Sequence, residues 1–246
     1  MHFSRRIIFT VLTLFIICLI SYTAITYCQQ GNYPDKLWLH RCNSIEKFLE
    51  ASSKVKNIEV DVIYRNQIFD ITHDEDTTFH LSLEDYFKII NKSDRKIWID
   101  IKNLTEDNAD SVFDHLNRLT EKYNIHPQRL VVESPNAKQL KRFTDMGYYT
   151  SIYVTAPNPE ELTEKEIDIA IKQLQQDIDA KYACAISFPY WWYNTIKQKL
   201  DRDVDLLTWR HFSTEFEFLF SVSGRIMLND PQLKIILIKG KSKYNR

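Results

Sequence analysis

The sequence predicts a single α/β domain closed as a (β/α)8 TIM barrel. Three observations predict it. Eight short apolar, strand-like runs recur along the chain with helix-like segments between them, the pattern of parallel strands joined by crossover helices. The ~210 residues after position 36 suit one such barrel near the short end of its range. Charged residues gather where the apolar runs end, and strand ends are where barrels carry their chemistry. An open doubly wound sheet is the competing architecture, although no Gly-x-Gly-x-x-Gly supports a dinucleotide site.

The 246 residues are 44% hydrophobic and 26% charged, an ordinary globular balance. A formal net charge of -1 gives no footprint for nucleic acid, so no nucleic-acid partner is expected. Without a Cys-x-x-Cys, neither zinc spacing nor a disulfide framework is expected. Cys42 and Cys184 read as small apolar fillers. A reactive thiol at Cys42, two residues past His40, is the less favoured reading.

The N-terminus stands apart. Arg5 and Arg6 precede an uncharged apolar run from Ile7 to about Tyr27. About 20 such residues span a bilayer as a helix, and flanking positive charge favours the cytoplasmic side. Residues 1–28 are therefore expected to be a single-pass membrane anchor or, alternatively, a cleaved signal segment. Both place the rest of the chain outside the cytoplasm. Residues 29–36 read as a linker and 37–246 as the barrel domain.

The strands are expected at 37–40, 58–62, 96–101, 130–133, 148–154, 183–188, 205–208 and 225–228. Helical spacing marks 44–54, 109–123, 137–146 and 164–180. Thr163 precedes Glu166 by three residues, a capping-box pattern. His40 closes the first apolar run, Leu37-Trp38-Leu39. Glu59 and Asp61 sit inside Ile58-Glu-Val-Asp-Val62, and residues i and i+2 of a strand share a face. Two carboxylates side by side repel unless a cation or proton lies between them. Hard oxygen ligands of this kind suit Mg²⁺ or Ca²⁺. His73 and Asp74 follow the next run, Ile68-Phe-Asp-Ile-Thr72. Asp100 and Lys102 share a face at the end of Lys96-Ile-Trp-Ile-Asp-Ile-Lys102, where a barrel interior has little room for an unpaired charge. Alone, a Glu-x-Asp is usually a solvated strand face and an Asp-x-Lys a surface pair. The combination within one region favours a site.

These residues resemble the glycerophosphodiester phosphodiesterases and the wider phospholipase-C-like phosphodiesterase superfamily. The shared pattern is His40-Arg41, then Glu59-Val60-Asp61, then His73-Asp74, followed by Leu81-Ser-Leu-Glu-Asp-Tyr86. Asp100-Ile-Lys102 stands where glycerophosphodiesterases have Glu-x-Lys and resembles the Asp-x-Lys of sphingomyelinase D. His40-Arg-Cys-Asn43-Ser44-Ile45 is also similar to the start of that enzyme. Leu206-Leu-Thr-Trp209 looks like the family's seventh strand, and Met227-Leu-Asn-Asp230-Pro231 looks like its eighth-strand ending. The usual His-Arg-Gly start and inserted subdomain are absent.

The resemblance implies metal-assisted cleavage of a glycerophosphodiester or (lyso)phospholipid. Glu59, Asp61 and Asp100 would hold one Mg²⁺ or Ca²⁺. Lys102 and Arg41 would add positive charge at phosphorus. His40 and His73 would share the base and acid roles, in an order the sequence leaves open. Arg41, Asn43 and Trp209 would contact substrate, with Asn43 alternatively capping the helix that begins at Ser44. The aromatic cluster Tyr190-Trp-Trp-Tyr193 either lines a cleft or packs on the barrel. Two other functions compete. One is an inactive barrel that binds a ligand or partner. The other is a glycoside hydrolase, which paired acids suit but which leaves the two histidines without a role.

Overall fold

Runs rich in Ile, Val and Leu form the strands, and amphipathic segments between them form the helices. The structure is a computed structural model. It describes residues 2–30, 33, 35–52, 55–210, 218 and 221–240, with side chains in the first helix described from 7 to 23. That helix, α1 (His2–Gln30), precedes β1 (Leu37–His40), α2 (Ile45–Ala51), β2 (Ile58–Arg65), β3 (Ile68–Ile71) and α3 (Leu83–Ile90). Next come β4 (Ile97–Ile101), α4 (Ala109–Tyr123), β5 (Leu130–Ser134), α5 (Ala137–Asp145), β6 (Tyr149–Tyr153) and α6 (Glu164–Asp179). β7 (Ala185–Pro189), α7 (Tyr193–Lys199), β8 (Asp205–Trp209), α8 (Val222–Asn229) and β9 (Leu233–Lys239) complete the described chain.

Eight strands pair in parallel, and β1 joins both β9 and β2, which closes the sheet into a barrel. Closure excludes the open doubly wound alternative. The exception to parallel pairing is β3, which lies antiparallel on β2 as a hairpin. Its two-residue turn, Asn66-Gln67, has φ of 49° and 58°, the left-handed pair that matches the twist of a tight hairpin. The hairpin brings the residues after β3 back to the barrel mouth, where the Thr72 N–H donates to the Asp61 carbonyl at 3.1 Å.

Two layers of apolar side chains hold the barrel. Between strands and helices run Val60, Ile99, Val132, Ile186 and Ile236, with Phe87, Leu116, Phe143 and Ile196 from the helices. Inside the barrel, Trp38, Trp98, Val131, Leu207 and Ile235 form a separate plug. Along β4 the inward positions read Trp98 then Asp100, so polar residues begin where the plug ends. The capping box at Thr163 and Glu166 is present, and a second one at Ser82 and Asp85 starts α3.

Two expectations need correction. Residues 225–228 are not a strand but lie within α8, whose first turn Ser221 caps by accepting from the Gly224 N–H at 3.0 Å. The last barrel strand is β9, Leu233-Lys-Ile-Ile-Leu-Ile-Lys239, beyond the break at Asp230-Pro231. Its β-branched run is the better strand former; Met227-Leu-Asn-Asp230 was matched by likeness of motif against its own propensity. The second correction concerns Cys184, which is exposed and so not a buried filler, whereas Cys42 packs as expected. The Cys42 thiol is buried, and burial pushes its pKa up to about 12, which makes it a packing group rather than a reactive one.

The N-terminal expectation has a narrower outcome. Residues 7–21 of α1 are exposed, Phe9 at 73% and Phe15 at 66%. Among the described residues, no helix is long and apolar enough to cross a membrane. The side chains of Arg5, Arg6 and Cys28 lie outside the described residues, as do linker residues 31, 32 and 34 and the domain's last residues, 241–246.

Candidate active site

The carboxylates meet because of strand register. Asp61 on β2 lies directly opposite Asp100 on β4, and Asp100 lies opposite Glu133 on β5. Glu59 is two positions earlier on β2 and therefore on the same inward face. Glu59, Asp61 and Asp100 each offer an oxygen within 4.8 Å of the others. All three are buried. Hard oxygen donors converging at this spacing fit one divalent cation.

Lysine and arginine answer part of the charge. Lys102 Nζ sits 2.8 Å from Asp61 Oδ1 and also bonds Asp100. Arg41 Nε is 3.7 Å from Asp61 Oδ2. Burial pushes the Asp61 carboxyl up, but Lys102, Asn43 and Arg41 together hold it down at about 2. Burial raises Glu59 well above the carboxylate range, and the neighbouring charges of Asp61 and Asp100 push the same way. Asp100 is raised too, by burial foremost. Burial opposes the charge on Lys102, yet Asp100, Asp61 and Glu59 outweigh it and hold the ammonium protonated. Fully ionised, the cluster would carry more negative charge than its own cations neutralise, and the raised Glu59 carboxyl answers that excess with a proton where no cation is bound.

A short loop after β1 completes the wall. Arg41 has φ of 49°, a left-handed conformation that costs a non-glycine residue ~1–2 kcal/mol. The turn aims the Arg41 N–H at Glu59 Oε2, 2.6 Å away. Buried Lys47 holds the loop by donating to the His40 carbonyl at 3.1 Å and the Arg41 carbonyl at 2.7 Å. Tyr86 donates to the Cys42 carbonyl. His40 Nε2 comes within 3.9 Å of Glu59 Oε2.

His73 reaches the same place from the hairpin. Its Nδ1 is 2.6 Å from Asp74 Oδ1. Arg65 clamps the segment that follows, donating to the Glu75 carbonyl at 2.8 Å and the Thr77 carbonyl at 3.0 Å while pairing with Asp70 at 3.3 Å.

The structure thus gathers His40, Arg41, Glu59, Asp61, His73, Asp100, Lys102 and Trp209 around one cavity of about 60 Å³ at the C-terminal mouth. That volume suits an ion and a water or two rather than a whole headgroup. Asn43 does not line it. Its amide donates to Asp61 Oδ2 at 2.8 Å and accepts from the Asp61 N–H at 3.0 Å, so it orients a carboxylate. The helix cap is Ser44, which accepts from the Lys47 N–H at 3.1 Å.

Sequence reasoning missed Tyr153 and Leu237, which line the same cavity, and noted Glu133, which also lines it, only as the end of the fourth expected strand. Glu133 is buried, bonded to Ser187 and raised well above the carboxylate range by burial first and Asp100 second. Its signal was present, since an acid ends the apolar run Leu130-Val-Val132 as Asp100 ends its own. Tyr153 stacks on Trp209 with ring centres 5.0 Å apart and 11° between planes; no spacing in the sequence pairs residues so distant. A larger cavity of about 540 Å³ lies beside the β2–β3 hairpin, lined by Arg65, Phe69 and His115, and shares no residue with the acidic cluster.

No family model and no curated protein matches the chain. Solved structures do. A glycerophosphodiester phosphodiesterase from Parabacteroides distasonis aligns at 15% identity over 82% of this chain and 92% of its own, with a TM-score of 0.56. An Oleispira antarctica phosphodiesterase, solved with the product sn-glycerol-3-phosphate, aligns at 12% identity over 85% and 94%, also at 0.56. A calcium-dependent phosphoinositol-specific phospholipase C from Pseudomonas sp. aligns at 10% identity over 87% and 96%, at 0.54. Identities this low speak for architecture, and the architecture is the closed parallel barrel that these phosphodiesterases share.

Proposed function

We propose that this chain is a divalent-metal-dependent phosphodiesterase acting on glycerophosphodiester or (lyso)phospholipid-type substrates. The observation that carries the reading is the convergence of Glu59, Asp61 and Asp100 beside Lys102, with His40 and His73 lining the same cavity. The solved relatives of the same fold include phosphodiesterases and a calcium-dependent phospholipase C, which supports the reaction class and a hard cation.

Glu59, Asp61 and Asp100 would hold one Mg²⁺ or Ca²⁺. Such a cation, when bound, draws charge from a non-bridging phosphate oxygen. Lys102 keeps its proton and places a fixed positive charge beside that oxygen. One histidine takes the proton from the attacking hydroxyl, and the other gives a proton to the departing alkoxide. The attacking hydroxyl is water or a hydroxyl of the substrate itself. Tyr153 and Trp209 form an aromatic wall for the alcohol portion. We place α1 in a lipid bilayer, with the barrel outside the cytoplasm, because its exposed residues 7–21 carry no charge and large apolar side chains predominate among them.

The test is cleavage of a bis-aryl phosphate by the full chain, with and without Mg²⁺ or Ca²⁺. Cation-dependent release of the aryl alcohol supports the reading. No release with either cation leaves the barrel as a binding module.

A further inference from the structure

We propose that the barrel docks mouth-first on a lipid bilayer, so that its substrate is the phosphodiester headgroup of a lipid still held in the membrane. The inference rests on the phosphodiesterase reading for its chemistry, but the docking surface stands on separate observations.

The first is the course of α1. In a parallel barrel the strands end at the mouth and each following helix returns to the foot. α8 therefore begins at its mouth end with Val222 and ends at its foot with Asn229. Tyr33, just beyond α1, bonds the Asn229 side chain, and Lys36 donates to the Leu228 and Asp230 carbonyls at 2.8 and 2.7 Å. The Tyr22 ring lies under the Arg225 guanidinium, 4.9 Å away, one turn nearer the mouth. The helix thus climbs alongside α8 from foot to mouth. Tyr22 and Thr23 are its half-buried docking point, and residues 7–21 carry it about 20 Å further. There Ile8, Phe9, Leu12, Phe15, Ile16 and Ile20 are all exposed. A helix with large apolar side chains on every side needs an apolar surrounding on every side, which a bilayer provides and a groove on one partner does not.

The second observation lies on the barrel beside it. Val222 and Ile226 are 75% and 57% exposed on α8, one turn apart and so on one face. Tyr190 and Trp191 follow directly on β7 at the mouth. The Arg210 guanidinium, just past β8, lies over the Tyr190 ring at 4.7 Å. Half-buried aromatic rings with a nearby cation are the side chains that settle at the headgroup level of a membrane. Helix, apolar α8 face and aromatic rim occupy one sector of the molecule, and its upper edge is the barrel mouth.

The experiment uses the full chain in vesicles of phosphatidylcholine and phosphatidylglycerol, with p-benzoylphenylalanine placed at Val222 or at Asp203. Asp203 is exposed in the loop that enters β8 at the foot. Irradiation is expected to give lipid adducts at Val222 in at least about tenfold excess over Asp203. Equal labelling at both positions, or adducts at Val222 with protein only, overturns the proposal. A second measurement compares two substrates. The double substitution Val222→Asp, Ile226→Asp is expected to slow cleavage of a phosphodiester lipid in vesicles by about tenfold or more. Cleavage of a dissolved bis-aryl phosphate should stay unchanged, and equal slowing of both overturns the proposal. If the unaltered protein cleaves neither substrate, the phosphodiesterase reading fails while the photolabelling still decides the docking.

Discussion

Asp61 and Asp100 face each other across the β2–β4 register, and the Lys102 ammonium bonds both. One lysine thus holds two buried carboxylates together, leaving Glu59 as the one acid of the three-carboxylate cluster that no side-chain ammonium or guanidinium among the described residues bonds. The charge balance of the site turns on that arrangement.

Glu59→Gln should cost cation affinity while sparing the fold. Loss of a direct ligand is expected to exceed the ~10–100-fold that outer positions cost. Isothermal titration with Mg²⁺ and Ca²⁺ measures this. Affinity equal to that of the unaltered protein would remove Glu59 from the metal site.

The same residue sets a pH dependence. Glu59's pKa in the folded chain lies well above its ordinary value of 4.5. Between those two values the folded state holds a proton that the unfolded state has lost, so stability falls as pH rises through that window. In chelator, the melting temperature of the unaltered protein should therefore drop relative to Glu59→Gln as pH is raised from about 4.5 to neutrality. Added cation should reverse the difference. Paired melts across that range check the sign.

Lys102→Met removes the main charge that holds Asp61 down at about 2, leaving Asp100 without its ammonium and Asp61 with only Arg41, 3.7 Å away, as a cation. Turnover should fall by ~10²–10³-fold, the usual loss when a group stabilising developing charge is removed. Metal-free stability should fall too, and cation should restore it more than it restores turnover. Steady-state rates and melts on the same preparation separate the two effects.

His40→Ala and His73→Ala should each slow cleavage by ~10²–10⁴-fold. An aryl leaving group needs little help from an acid, so one variant alone should recover part of its rate on an aryl phosphodiester. That variant identifies the acid. Full activity in either variant on an alkyl phosphodiester defeats the two-histidine scheme.

Arg65 positions rather than reacts. Its bonds to Glu75 and Thr77 fix the loop that carries His73 and Asp74. Arg65→Ala should lower kcat while leaving KM nearly unchanged, and Arg65→Lys should recover part of the loss. An increase in KM alone would assign Arg65 to substrate binding.

The barrel was legible because strand-length apolar runs each end in a charge, and because Glu59, Asp61, Asp100 and Lys102 obey the two-residue period of a strand. The last strand was not, since an acid and a proline at Asp230-Pro231 looked like a strand ending when they mark the break before one. Tyr153 stayed hidden for a different reason. Its importance comes from closure, which places β6 across the mouth from β1, and no local pattern records closure. Asn43 shows the limit of local chemistry, as a cap-forming residue type whose amide is spent on Asp61 eighteen positions away.

Closure also has a consequence in time. β1 pairs with β9 at four positions and with β2 at one. Chains are synthesised at roughly 5–20 residues per second, so β1 waits on the order of ten seconds or more for the strand that will hold it. During that interval the loop with His40 and Arg41 has no fixed place, and Glu59 lacks the N–H that Arg41 will supply. The nascent chain therefore passes through a stage in which its acidic strands exist without their lid, and the acidic cavity is among the last features the ribosome's product acquires.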